Sequence, residues 1–276
     1  MVVFANGQRI TEGMVMIMVD PSPTMLAAIA FARTSLPLTN LNDNENMYSE
    51  TAFLKAISES FRKYIEHGAR STEKLKPIHR FVAKTLHDIW GKDFEIHFMG
   101  EDTKELTVEG KYYPKVIDIS VTHKEKPVFC LGIKFVTSNY KQNANNYFEN
   151  MMGETANIQA RKDLPYAQLI ILRHETPYYK KGNERQGDKM PTKIEIINED
   201  DLQKYLNLFF DSPQAHRPFA MGIILIGINE KTYEVKAINP KSVLKKDFAE
   251  LLETKLSVNY LFKEIENYKK FYLTKS

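Results

Sequence analysis

Residues 112–158 read YYPKVIDISVTHKEKPVFCLGIKFVTSNYKQNANNYFENMMGETANI, and the fold turns on how that stretch divides. Val116, Ile117, Ile119 and Val121 form a β-favouring run, Lys124-Glu125-Lys126-Pro127 breaks it, and Val128 to Val136 resumes it. Two strands joined by a tight turn have this pattern. Asp118 falls in the middle of the first strand and Lys134 towards the end of the second. An acid with apolar neighbours inside a strand lines a site or is paired, because an isolated buried carboxylate is costly. Lys134 is its expected partner.

A helix from about Asn139 to Arg161 follows. Asn139, Asn143, Asn146, Asn150, Glu154 and Asn157 recur at spacings of four, three, four, four and three, so they share one face. Asparagine is a poor helix former, so its repetition calls for a reason. Amides that meet base edges or phosphate oxygens are one reason; an amide ladder against a neighbouring helix or a dimer partner is the other.

An acid on one strand and a lysine on the next resemble the PD-(D/E)XK nuclease superfamily, over the middle third of the chain. Asp118 matches the first acid of that pattern and Lys134 its lysine, while Gly132 stands where Asp or Glu is expected. Some restriction endonucleases of the superfamily carry the second acid on the following helix, where this chain offers Glu154 and, as its rival, Glu149. The resemblance implies an α/β fold with a central mixed sheet flanked by helices, and a single endonuclease-like domain over 1–276. Its core would span about 49–173, with 1–48 and 174–276 as elaborations. It also implies Mg²⁺, with Mn²⁺ as a substitute, held by Asp118, Glu154 and Glu50. Site-specific cleavage of double-stranded DNA by a type II restriction-like homodimer follows, with a cognate DNA methyltransferase in the same system. A hard cation held by carboxylates activates water and stabilises the phosphorane, and a lysine beside it neutralises developing charge. The alternatives are a catalytically silent DNA-binding or regulatory protein, a repair or structure-specific nuclease, and an unrelated α/β enzyme in which Asp118 and Lys134 form a buried ion pair.

Upstream, Ser49 to His67 has helical spacing at Phe53, Ile57, Phe61 and Ile65 and ends at Gly68. Glu50 lies on this stripe, as a first-turn acid facing the helix dipole or as a further metal ligand. A second helix runs from Pro77 to Trp90, with His79 and His87 expected at its rim, and short strands follow at Phe94–Phe98 and Leu106–Val108. The Asn6-Gly7 pair predicts a hairpin, Thr24 to Arg33 a helix, and Pro37 to Glu45 a loop.

Downstream, Ala167–Leu172 reads as a buried strand and His174–Lys189 as a polar loop. Lys180, Lys181 and Arg185 of that loop join Asn139, Asn143, Asn146 and Asn150 as candidate DNA contacts. Strands at Lys193–Ile197, Met221–Ile228 and Thr232–Ile238, a helix at Asp200–Phe210, and a last helix from Val243 to about Tyr268 complete the reading.

With 276 residues, 43% of them hydrophobic, the chain can bury a sizeable core. A net charge of +3 does not by itself argue for nucleic acid. The single cysteine, Cys130, has no internal partner, which suits a reducing cytoplasm. The longest apolar runs, Met14–Val19 and Met221–Ile228, fall short of a membrane span, and no secretion signal is expected.

Overall fold

The computed structural model describes residues 47–68, 71–162, 164–180 and 190–275. The expected elements at Asn6-Gly7, Thr24–Arg33 and Pro37–Glu45 lie outside the described residues, as do Lys181 and Arg185. Helix α1 is Glu50–His67: the Ser49 hydroxyl accepts the Ala52 N–H at its start, and Gly68 ends it at a φ of 82° that disfavours a side chain. Phe53, Ile57 and Phe61 are buried as their spacing predicts, and Tyr64 rather than Ile65 completes the stripe. Helix α2, Lys76–Trp90, has Pro77 in its first turn and ends at Gly91.

The remaining elements are β1 (Glu95–Phe98), β2 (Leu106–Glu109), β3 (Pro114–Ile117), β4 (Ile119–His123), β5 (Lys126–Val136), α3 (Tyr140–Lys162), β6 (Tyr166–Arg173), β7 (Glu175–Tyr178), β8 (Lys193–Ile196), α4 (Glu199–Phe210), β9 (Met221–Ile228), β10 (Val235–Ala237), α5 (Lys246–Lys255) and α6 (Val258–Lys275). The main sheet has the order β1-β4-β5-β6-β9-β10. Its pairings are antiparallel from β1 to β5, parallel from β5 to β9, and antiparallel again at β10. The fold is therefore α/β, a mixed sheet flanked by helices. Phe53, Leu86, Trp90 and Phe262 of α1, α2 and α6 cover one face, against Phe129 and Leu169. Tyr140, Met151, Tyr205 and Leu252 of α3, α4 and α5 cover the other, against Ile170 and Leu172. Covered on both faces, β6 is buried along its whole length.

Four expectations change. The strand around Asp118 is two strands: β3 pairs with β2 in a separate ribbon, and β4 joins the main sheet. Asp118 is the residue at which the chain passes from one to the other. Leu106–Glu109 thus pairs with β3 and not with β1. The polar segment after His174 begins as β7, paired with β8. The last helix starts later than Val243, after a 3₁₀ turn at Pro240–Ser242 and a break at 243–245, and is broken again into α5 and α6. At the second break the Ser257 hydroxyl accepts the Tyr260 N–H, and the Leu256 carbonyl accepts the Ile223 N–H of β9 at 2.6 Å, beyond the reach of short β10. Apolar periodicity runs through such a cap without registering it. Among the described residues no helix is long and apolar enough to cross a membrane.

Candidate functional site

The β4–β5 ladder begins at Ile119 opposite Leu131, and just before it Asp118 turns its side chain to β5, where Oδ2 accepts the Ile133 N–H at 2.7 Å. One strand further, Gly132 lies beside Gln168 and Lys134 beside Ile170 in the β5–β6 register. Alternation along β5 puts Gly132 and Lys134 on the face covered by α3. Lys134 does not pair with Asp118. Its ammonium lies 3.9 Å from Glu154 Oε2, and the Lys115 ammonium of β3 donates to Glu154 Oε1 at 2.9 Å. The Tyr166 hydroxyl reaches Glu154 Oε2 at a long 3.5 Å. Glu154 thus stands between two cations. Burial is the largest influence on the Lys115 ammonium and works against it, but the hydrogen bond to Glu154 together with the charges of Glu154, Tyr113 and Asp118 outweighs it and holds the pKa above that of an ordinary lysine. The Tyr166 phenol is pushed well up by burial and then by the charges of Glu154 and Asp118, so it stays a donor.

The space that a carboxylate at 132 would use is filled from β6. A Cβ on Gly132 would fall 2.6 Å from the Tyr166 hydroxyl and 2.9 Å and 3.0 Å from the Gln168 amide atoms. Gln168 is fully buried, and its amide lies against Tyr166 without a well-formed bond.

Two further groups meet Asp118 that sequence spacing did not assign. The register pairing Leu106 with Ile117 brings Glu105 opposite Asp118, and Glu105 is raised above the ordinary carboxylate range by burial and by the Asp118 charge. His79 is not at the rim: it is completely buried, with Nδ1 4.0 Å from Glu105 Oε1 and neither ring nitrogen hydrogen-bonded. Burial lowers its pKa, with the Asp118 charge opposing. His79 lies three residues before Val82 and seven before Leu86, so helical spacing does place it on the buried stripe. His87 is exposed as expected.

A pH dependence follows. A histidine held below its ordinary value of about 6.5 contributes stability above that pH and loses it as pH falls through the folded value. The melting temperature of chelator-treated protein should fall on acidification below about 6.5, and His79→Gln should flatten that fall. Glu105 works in the opposite sense, its contribution being lost as pH rises above the ordinary carboxylate value. Melts of His79→Gln and Glu105→Gln across pH separate the two by sign.

The structure divides the other sequence candidates. Glu154 joins the group and Glu149 does not, being exposed and within electrostatic reach of Lys204 on α4. Glu50 is exposed in the first turn of α1, at a cavity lined by Ile224, Ile238 and Leu252 beside β9 and β10, away from Asp118. The amide stripe is used unevenly. Asn139 exchanges both amide bonds with the Tyr179 backbone, and Asn143 donates back to the Asn139 carbonyl. Asn157 binds the backbone of Tyr112 and Tyr113, while Asn146 and Asn150 face solvent. Lys180 is exposed after β7. Compared with known proteins, the chain matches no protein-family model, no curated protein and no solved structure.

Proposed function

We propose that the chain is a divalent-metal-dependent endonuclease of the PD-(D/E)XK kind, cutting double-stranded DNA at specific sites as type II restriction enzymes do. The observation that carries this reading is Asp118 bonded to the β5 backbone with Lys134 one residue beyond that bond. The order helix, three strands, helix, strand in α2, β1, β4, β5, α3 and β6 agrees with the superfamily's core, the β2–β3 ribbon being inserted between its first two strands.

The donor set fits Mg²⁺. Asp118 and Glu105 are opposed carboxylates, an arrangement that a cation relieves, and Mg²⁺ takes one or two carboxylates with water and phosphate oxygens completing its shell. Among the described residues no three His, Cys, Asp or Glu side chains gather as a metal cage. When bound, the ion supplies Lewis acidity and a water of lowered pKa. Glu154 is a poor ligand, since Lys115, Lys134 and Tyr166 already engage its oxygens. Its role is to hold the two ammoniums, of which Lys134 is positioned to neutralise charge on a phosphate.

The filled space at Gly132 favours a second reading, a silent nucleic-acid-binding protein. Incubating plasmid and phage DNA with the protein, in Mg²⁺ and in chelator, separates the two. Discrete Mg²⁺-dependent fragments are expected, reduced by about 10²-fold or more in Lys134→Ala. Salt-sensitive binding without cutting would replace the first reading by the second, and absence of both would remove each.

A further inference from the structure

We propose that the tip of the β2–β3 ribbon, Gly110–Tyr113, is a stacking platform on which Tyr112 and Tyr113 receive an unpaired nucleobase. The proposal rests on the nucleic-acid reading of the site above. The two rings are 73% and 50% exposed, among the most exposed large side chains described. The backbone that carries them is tied down as firmly as a strand. The Gly110 N–H donates to the Tyr113 carbonyl at 3.2 Å and the Lys111 N–H to the Asn157 carbonyl at 2.7 Å. Asn157 Oδ1 accepts the Tyr112 N–H at 2.9 Å, its Nδ2 donates to the Tyr113 carbonyl at 2.9 Å, and Arg161 donates to the Gly110 carbonyl at 3.0 Å. A Cβ on Gly110 would fall 2.1 Å from Asn157 Nδ2, so glycine alone allows this close approach.

A loop ordered in this way around two rings that it leaves in water contributes little to the core. It does lower the ordering cost of binding, since rigid aromatic side chains lose little freedom when a ligand covers them. The surrounding charge indicates the ligand. The Lys111 ammonium lies 5.4 Å from the centre of the Tyr112 ring. The nearby carboxylates are already engaged, Glu109 by Arg161 and Glu154 by Lys115 and Lys134. Aromatic faces beside a cation that no carboxylate among the described residues pairs with suit a base and its phosphate, as in single-strand-binding grooves. Position agrees as well. Tyr113 is five residues from Asp118 along β3, roughly 17 Å at the rise of a strand. That is about five base steps of a duplex, so a nucleic acid held at Asp118 is long enough to pass the tip.

The test uses full-length protein in chelator, so that cutting does not intervene, and oligonucleotides carrying 2-aminopurine. One is single-stranded, one is a duplex with the probe unpaired, and one is fully paired. Wild type should quench the unpaired probes more than the paired one. Tyr112→Leu/Tyr113→Leu should lose the quenching and weaken binding of the unpaired probes by about tenfold or more. The double Phe variant, which keeps both rings, should behave as wild type. Both rings are exposed, so the melting temperature should hold and confirm that the variants fold. Unchanged quenching and affinity in the double Leu variant would overturn the platform while leaving the nuclease reading intact, and would turn attention to a protein partner for the tip. Equal loss in the Phe and Leu variants would overturn stacking in favour of the hydroxyls. Failure of wild type to bind any oligonucleotide would remove the reading of the site together with that of the tip.

Discussion

Asp118→Asn should abolish Mg²⁺-dependent DNA cleavage while leaving the fold almost untouched. A metal ion supplies several kcal/mol of charge stabilisation to phosphodiester hydrolysis; at about 1.4 kcal/mol per factor of ten, losing its principal carboxylate costs about 10³-fold in rate or more. The structural cost is small for a specific reason. Asp118 accepts one bond, from the Ile133 N–H, and an asparagine oxygen can accept the same bond. The substitution weakens a charge-assisted hydrogen bond but also removes the repulsion with Glu105, so stability should change by no more than about 1 kcal/mol. The check is a cleavage time course beside a thermal melt. Retained cutting would remove Asp118 from the chemistry, and a large drop in melting temperature would show that its role is structural.

Gly132→Asp places a carboxylate where the nuclease pattern expects one and should be among the most damaging single changes in the sheet. Its Cβ would press on the Tyr166 hydroxyl and the Gln168 amide, and both of these side chains are buried. Overpacking of this kind costs about 1–3 kcal/mol, and a carboxylate buried without a partner adds to it. The relief should be asymmetric. Gln168→Ala in the same chain removes a flexible amide and should restore about half of the loss, measured by denaturant unfolding. If Gly132→Asp alone is tolerated at no cost, the space is open, and Tyr166 and Gln168 do not stand in for the absent acid.

These two residues also show what one sequence discloses. The positions of Asp118 and Lys134 were legible because β-branched runs flank the first and contain the second, and such runs mark strands. That Asp118 lies between two strands was not legible, since Ile117 to Val121 alternates without a break and the change of partner is set by pairing, not by residue type. Glu105 meets Asp118 through a register set by the ribbon turn. The amide stripe was legible as a stripe, but not what its members bind. Asn139 and Asn157 bind backbone groups of loops, and a backbone carbonyl leaves no trace in residue type. Two signals were present and unused. Gln168 is a polar residue inside the apolar run Ala167–Leu172, and His79 shares the spacing of Val82 and Leu86. Between Glu154 and Glu149, helical phase sets the two on different sides of α3, but only the location of Lys115 and Lys134 decides between them.

The passage of the chain from ribbon to sheet at a single residue makes Asp118 a fulcrum. The β2–β3 ribbon is a lever arm anchored at its far end to α3 through Asn157, and β4 is fixed between β1 and β5. Between these two ends Val108 and Ile117 of the ribbon pack with Cys130, Ile158 and Tyr166, so the ribbon is braced along its length. The proposed platform and the carboxylate therefore belong to one continuous, braced stretch of chain, Tyr112 to Asp118, with no mobile linker between them.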